Sequence, residues 1–452
     1  MARTSGLKKR TIKHSKSRLR SPVSRVVYVL KKFWPFTMVV GSAIILTALL
    51  FSLQYPQTVS VEASNKPLLL KFEQSFAADW FHVNREGIYD YAPNGMIEGN
   101  TWRIWSCGGQ LDGNGNAMQG DWIFYTSLLN GSHQGTRLVL SPSTNLQSMD
   151  SRYACAPAVV INTNSYIKQI MGSEKVYMMH YECSPNAINA PEAFTEICVA
   201  YSTDGMNWKK FNRATWDQSN QFVDQNGVAS SVIQASSAVR QRCGYEFKDG
   251  RHVLNVPECM NRMDSYGSGH PSTILGPHDQ IWLWYYDSGN DWNDRGVRLV
   301  KSWDGFNFSA PIKTNMQSPA EVTRLTINNK VYFVATTVLK GKNVYVTSLD
   351  GISWTHINAS GILKWTGLGL GAAVYTDCAA PSQAAVLTDA RGNVSGPYVN
   401  LLSAEGRLGP RDLEAKPKQD RCYSALEDPS MGGSRGSTWG IRLIQGNFRP
   451  VF

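Results

Sequence analysis

The first 32 residues contain no acidic side chain, and residues 33 to 61 contain no charge of either sign. The second absence excludes an ordinary hydrated surface over that stretch. Phe33 to Leu53 is mostly apolar, with Trp34 and Tyr55 near its ends. About 20 apolar residues span a bilayer, and aromatic side chains favour its interfaces. The first absence sets orientation. Eleven Lys and Arg precede the apolar run, which keeps that end in the cytoplasm. A cleaved signal peptide has a shorter apolar core and a small-residue site; Ser60 to Ser64 is a weak version of one, and an uncleaved anchor is the preferred reading. The expected organisation is a basic cytoplasmic tail over 1–32, a single transmembrane helix over 33–55, a stalk over 56–76 and a large domain over 77–452. The protein is then single-pass in the cell membrane, with its main domain extracytoplasmic.

Other absences narrow the chemistry. Of 45 Lys and Arg, eleven lie in the tail, leaving 34 against 35 Asp and Glu. The large domain is near neutral, so the net charge of +10 is no argument for nucleic acid. No C-x-x-C occurs, which excludes the usual zinc-knuckle and redox motifs. The eight cysteines all lie beyond the anchor, as suits an oxidising compartment. Cys183 and Cys198 flank one hairpin, and Cys243 and Cys259 flank another segment, so each pair is expected to join. Cys107 with Cys155, and Cys378 with Cys422, remain. Gly108 to Gly120 is rich in Gly and Asn but follows no helix-bound phosphate pattern, which excludes a nucleotide loop. No cofactor is expected.

What is present is a repeated turn. Ser202-Thr-Asp204-Gly205-Met-Asn-Trp208 recurs as Ser302-Trp-Asp304-Gly305-Phe-Asn-Phe308 and as Ser348-Leu-Asp350-Gly351-Ile-Ser-Trp354. Asp-Gly between two extended runs is a strong hairpin signal, because Gly accepts positive φ and Asp bonds its own backbone. The Ser hydroxyl adds a local bond. Helical periodicity is scarce beyond the anchor, whereas runs rich in β-branched and aromatic residues recur in order. His270-Pro-Ser-Thr-Ile-Leu275, then Gln280 to Tyr286, then Val297 to Val300 lead into the second turn. Pro319 to Leu325, Lys330 to Ala335 and Val344 to Thr347 lead into the third. Five such groups predict an all-β fold, a five-bladed β-propeller, with insertions at about 212–268 and 403–436.

These features resemble the five-bladed propellers of carbohydrate-active proteins, the arabinanase/β-xylosidase and invertase/levansucrase groups of glycosidases. The resemblance covers about residues 85 to 450. It rests on the repeated A-P-x-V or H-P-S-x-I inner strand, the Ile-Trp-Leu-Trp-Tyr type of second strand and the corner motif, with Ala156 to Val159 and Lys175 to Tyr181 the closest match. The corner also resembles the Asp-box of sialidases, one residue shorter. The resemblance implies a funnel with an Asp base on the first blade, an orienting Asp on the second and a Glu acid on the third. Two carboxyl groups flanking the scissile bond are what the reaction requires. This sequence departs from that set. Ala156-Pro157-Ala158 stands in the second blade, and Gly269-His270-Pro271 stands where the family would place Glu-Gly-Pro.

The candidate catalytic residues are therefore Asp90, Asp150 and Glu321, with paired structural carboxylates as the plainer alternative and Arg324 as a partner for Glu321. Trp102, Arg103, Trp105, His270 and Arg324 are candidates for carbohydrate contact: Arg clamps carboxylate or sulfate, and Trp stacks on a sugar face. Asp287, Asp291 and Asp294 offer oxygens for a structural calcium, but without EF-hand spacing, so a solvated hairpin loop is the plainer reading. No other metal is expected. The functional expectation is a membrane-anchored, glycoside-hydrolase-like propeller acting on an extracellular or envelope polysaccharide. The alternatives are a non-catalytic glycan-binding propeller and an envelope scaffold.

Overall fold

The computed structural model describes residues 69–77, 90–109, 121–187, 194–255, 266–291, 293–339, 342–355, 380–396, 398–408 and 437–451. The chain divides into two compact units, Met1–Ser64 and Asn65–Phe452, and every described residue belongs to the second. Among the described residues no helix is long and apolar enough to cross a membrane. The expected tail and anchor, 1–32 and 33–55, lie outside the described residues.

Antiparallel sheet dominates. One sheet runs β2 (Asp90–Glu98), β3 (Thr101–Gly108), β4 (Trp122–Leu129), β5 (Ser132–Leu140). The next runs β6 (Tyr153–Asn162), β7 (Val176–Ser184), β8 (Glu196–Ser202), β9 (Lys209–Lys210), β10 (Val223–Asp224), with β11 (Ser231–Ile233) also on β8. A small ribbon, β12 (Glu246–Lys248) and β13 (Arg251–Val253), follows. The third large sheet holds β14 (Ser268–Leu275), β15 (Ile281–Asp287), β16 (Gly296–Ser302) and β17 (Ile312–Lys313). The fourth holds β18 (Ala320–Ile327), β19 (Lys330–Leu339) and β20 (Lys342–Ser348), with β22 (Asn393–Ser395) parallel to β18. The last holds β21 (Ala380–Val386), β23 (Tyr398–Leu408), β24 (Ser437–Val451) and β1 (Leu69–Ala77). The strand that closes this last sheet thus lies within the stretch expected to be stalk. Short helices α1 (Ser165–Met171), α2 (Arg213–Ser219) and α3 (Ser237–Arg242) interrupt the pattern; α2 and α3 lie in the expected insertion at 212–268.

The arrangement is that of a propeller. The inner strands β2, β6, β14, β18 and β21 follow one another around a common axis, and β21 packs back on β2. Sheets in such a ring are covered on both faces, which is why β7 and β8 are buried along their whole length. The chain after β21 crosses the ends of the other inner strands as a strap. The amides of Ile97, Ile161, Leu275 and Arg324 donate to the carbonyls of Thr388, Ala390, Arg391 and Gly392, at 2.7 to 3.0 Å. The inner strands therefore all end on one face, and the hub is sealed there. Gly392 has φ 80°, and a side chain there would meet Ile274.

Each Asp-Gly corner is built alike. Ser202 Oγ accepts from the Gly205 amide at 2.9 Å, and Asp204 Oδ1 accepts from the amides of Met206 and Asn207 at 2.8 Å. The 302 and 348 corners repeat these bonds. Burial opposes ionisation of Asp204, but the amides of Asn207 and Met206 outweigh it and hold the carboxyl at about 2. The corner glycine then meets the neighbouring sheet. Trp105 Nε1–H donates to the Gly205 carbonyl at 2.9 Å, His180 to that of Gly305 at 2.8 Å, and Trp284 Nε1–H to that of Gly351 at 2.8 Å. A carbonyl can only accept, so His180 carries its proton on Nε2 and accepts from Thr273 on Nδ1, at 3.0 Å.

Two predictions follow from the corners. Gly351 has φ 74°, and a Cβ there would lie 2.7 Å from Trp284 Cζ2. Gly351→Ala should lower unfolding stability by about 1–3 kcal/mol in chemical denaturation, from left-handed backbone plus displacement of the Trp284 ring. Burial pulls the His180 pKa down to about 4, against partial opposition from its bond to Gly305. Its folded pKa is below its unfolded value, so the neutral form's contribution is complete above about pH 6.5 and is lost as pH falls towards 4. Denaturation midpoints measured across that window should fall by the equivalent of about 3 kcal/mol, and His180→Gln should flatten the slope.

Candidate functional site

With one end of the hub crossed by the strap, the other end is the face where the inner strands begin. Three of those strands open with the same distortion. β2 shifts register between Tyr91 and Asn94, β6 between Cys155 and Ala158, and β14 between Gly269 and Ser272. At each bulge the residue before proline is left-handed: Ala92 at φ 49°, Ala156 at 44° and His270 at 47°. Non-glycine residues rarely adopt this geometry, and bulges re-aim side chains beside functional sites.

The side chains gathered there are carboxylates and phenols. Glu182, near the end of β7, is buried. It accepts from the Tyr153 hydroxyl at 2.8 Å, from the Tyr266 hydroxyl, and from the His270 amide at 3.0 Å. A Cβ added to Gly269 would lie 2.5 Å from Glu182 Oε2. Glu182 thus delivers a carboxylate from the neighbouring sheet to the start of β14. Burial first, and then the Glu182 charge, push the Tyr153 and Tyr266 hydroxyls well above their ordinary range, so both stay protonated as donors. The Tyr266 and His270 rings stack at 5.7 Å and 15°, and both are partly exposed. On the adjoining strand the Tyr91 hydroxyl donates to Asp121 at 2.6 Å and lies 3.1 Å from Cys155 Sγ.

Disulfides brace this face. Cys107–Cys155 joins β3 to β6, and Cys183–Cys198 joins β7 to β8 beside Glu182. Both pairs match the sequence expectation. Cys243 is disulfide-bonded too, while Cys259, Cys378 and Cys422 lie outside the described residues. Ligand atoms of Cys107, Asp121 and Cys155 lie within 4.8 Å of one another, but the two sulfurs are bonded to each other.

Below the mouth, Glu321 lines a cavity of about 10 Å³ shared with Asn94, Val159, Thr273 and Thr388. That is room for about one water. Glu321 touches this cavity and is partly buried. Burial raises its pKa to about 8, with partial relief from the Ser272 hydroxyl, which favours the protonated acid at neutral pH. Its expected partner Arg324 lies three residues along the strand. That odd spacing puts the two side chains on opposite faces.

Other expected residues are placed differently. Asp150 is fully buried, 2.6 Å from the equally buried Lys210 Nζ, and accepts from Ser148 and Tyr181. It holds the β5–β6 loop to β9 and does not line the hub. Arg103 pairs with Glu98 at 2.7 Å and donates to Tyr125 and to the Asp204 carbonyl. Trp105 is buried against Tyr125, Tyr177 and Trp208. Trp102 packs with Ile104, Leu387, Leu402 and Leu443. The second strand of a covered sheet faces its neighbours on both sides, so these three side chains hold sheets together instead of opening to ligand. Asp90 begins β2, and its backbone pairs with Gly108 at the open end. In the acidic loop, Arg298 pairs with Asp287 and Asp294, Lys313 pairs with Asp294, and Asp291 caps the amides of Asn293 and Asp294. Cations of the chain itself supply the counter-charge there.

Of the sequence candidates, His270 and Glu321 come to the hub. Glu182, Tyr91, Asp121, Tyr153 and Tyr266 stand in no motif that marks them in the sequence. Their one local signal was the glycine at 269, which leaves space that another strand's side chain fills.

No protein-family model matches the chain, and no curated protein matches it. Solved structures similar to it include Zg3597, a family 117 glycoside hydrolase produced by the marine bacterium Zobellia galactanivorans. The TM-score is 0.46 at 11% identity, over 83% of this chain and 90% of that one. The α-L-arabinofuranosidase PaAbf62A from Podospora anserina, in complex with cellotriose, gives 0.45 at 11% identity, over 84% and 98%. An N-acetylgalactosamine deacetylase from F. plautii, in complex with blood group B trisaccharide, gives 0.42 at 12% identity, over 84% and 95%. Function at such distances is decided by the site, not by the outline.

Glu321 carries a testable consequence. Its folded pKa is raised, so it favours folding below about pH 4.5 and loses that contribution as pH rises through about 8. Glu321→Gln should be more stable than the parent at pH 8 and equal to it near pH 4, read from thermal or denaturant midpoints at both values.

Proposed function

We propose that this chain is a membrane-anchored, extracytoplasmic, carbohydrate-active propeller. In this reading the five larger sheets are its five blades, and it acts as a glycoside hydrolase on an extracellular or envelope polysaccharide. One observation carries the proposal: the Glu182 carboxylate stands at the Gly269 backbone. That is where the glycosidases this sequence resembles place a Glu on the third inner strand. The chemistry of glycoside cleavage needs two carboxyl groups in different protonation states. Glu182, accepting three hydrogen bonds, is one carboxyl group of that pair. Asp121, tied to Tyr91, and neutral Glu321 are the two groups available as its counterpart. The partly exposed, stacked rings of Tyr266 and His270 offer a surface for a sugar face. The anchor part of the proposal is supported by the basic tail and apolar run alone.

A second reading, glycan binding without hydrolysis, is favoured by the small cavity at Glu321, which admits a water and not a sugar ring. Reducing-end release from a panel of extracellular polysaccharides separates the two. Hydrolysis that falls by about 10²- to 10⁴-fold in Glu182→Gln, with glycan binding retained, supports the catalytic reading. Undiminished hydrolysis in that variant removes Glu182 from the mechanism. Glycan binding without turnover in the parent favours the second reading.

A further inference from the structure

The face closed by the strap carries apolar side chains that the fold leaves without a covering layer. Leu129 ends β4, Trp303 and Leu349 hold the second position of their corners, Val331 follows the β18–β19 turn, and Tyr166 lies in the first turn of α1. They come from four successive sheets and are five of the eight exposed large apolar side chains among the described residues. Trp303 is 58% exposed and Tyr166 47%. Asn164 Nδ2, at the start of the helix that carries Tyr166, donates to the Trp303 carbonyl, and the Asn130 amide beside Leu129 donates to the Asn100 carbonyl in the turn after β2. Single exposed apolar residues are ordinary, and the observation here is that five of the eight lie on one face.

The strand β1 begins on this same face. Leu69 pairs with Val451, the last residue but one, at the end of β24. β24 is antiparallel to β23, which is antiparallel to β21, so β24 ends where the inner strands end. The apolar run Phe33 to Leu53 thus leads, through residues 54–68, into a strand that starts on the strap side.

We infer that the strap face rests on the lipid surface, with Trp303 and Tyr166 at headgroup depth and the opposite end of the hub directed away from the bilayer. Trp and Tyr prefer that depth, and apolar tips gain by entering the headgroup–acyl boundary. The corner aspartates Asp204, Asp304 and Asp350 share this face with Lys168, Lys175, Lys330 and Arg391, so its charge is mixed. Insertion of the apolar tips is the attraction proposed for the contact. The inference rests on the anchor reading and is independent of the chemistry at the mouth.

The test uses the full chain in phosphatidylcholine proteoliposomes, with plain or acyl-brominated lipid. Retention in alkaline carbonate reports on the anchor. The difference in tryptophan emission between the parent and Trp303→Phe reports on the face. The expected result is retention, with the difference signal roughly halved by brominated lipid and insensitive to salt. Tyr166→Trp in the Trp303→Phe background is a second reporter with the same expectation. Retained protein whose reporters are unquenched overturns the inference and leaves the anchor standing. Release by carbonate overturns both.

Discussion

A ring N–H aimed at the carbonyl of a corner glycine in the next sheet sets the frame of this molecule. The bond occurs three times, from Trp105, His180 and Trp284 to Gly205, Gly305 and Gly351. Two of the donors are indoles and one is an imidazole, so the position is specified by geometry and not by residue type. The carbonyl is presented because Ser and Asp side chains close the corner locally and because glycine accepts positive φ. At Gly205 and Gly351 the same glycine lets the donor ring come into contact, and at Gly305 it makes room for Met178 and Tyr201 of the neighbouring sheet. Buried carbonyls need a donor, and one from the adjacent sheet fixes the angle between sheets as well as satisfying the acceptor.

The strap does at the hub what the corners do between sheets. Thr388 to Gly392 collects one amide from each of four inner strands, so those strands share a direction and an end. With corners and strap holding the ring, the opposite end can bear strain. Three left-handed residues before proline, two disulfides and a buried carboxylate with three donors are concentrated there. Strained backbone persists where its surroundings over-determine it. The asymmetry between a strapped end and a strained, carboxylate-bearing end distinguishes the two faces of the ring.

Much of this was legible beforehand. The corner motif, its local bonds, the order of inner and second strands and two disulfides follow from patterns confined to a few neighbouring residues. The roles of Trp105, Arg103 and Asp150 did not follow. A tryptophan in a second strand reads the same whether it meets solvent, a sugar or the next sheet. An aspartate before an inner strand gives no sign that Lys210, from a distant hairpin, will neutralise it.

The sequence by itself determined the repeated β unit, the closed corners and the apolar run flanked by basic charge, because each depends on spacing along the chain. Only the tertiary structure decided which carboxylates reach the hub. Glu182 serves a position on β14 from β7, 87 residues earlier than Gly269, and Glu321 acquires its protonated state from side chains of several sheets. Burial and desolvation depend on neighbours far away in the chain, and no local pattern records them.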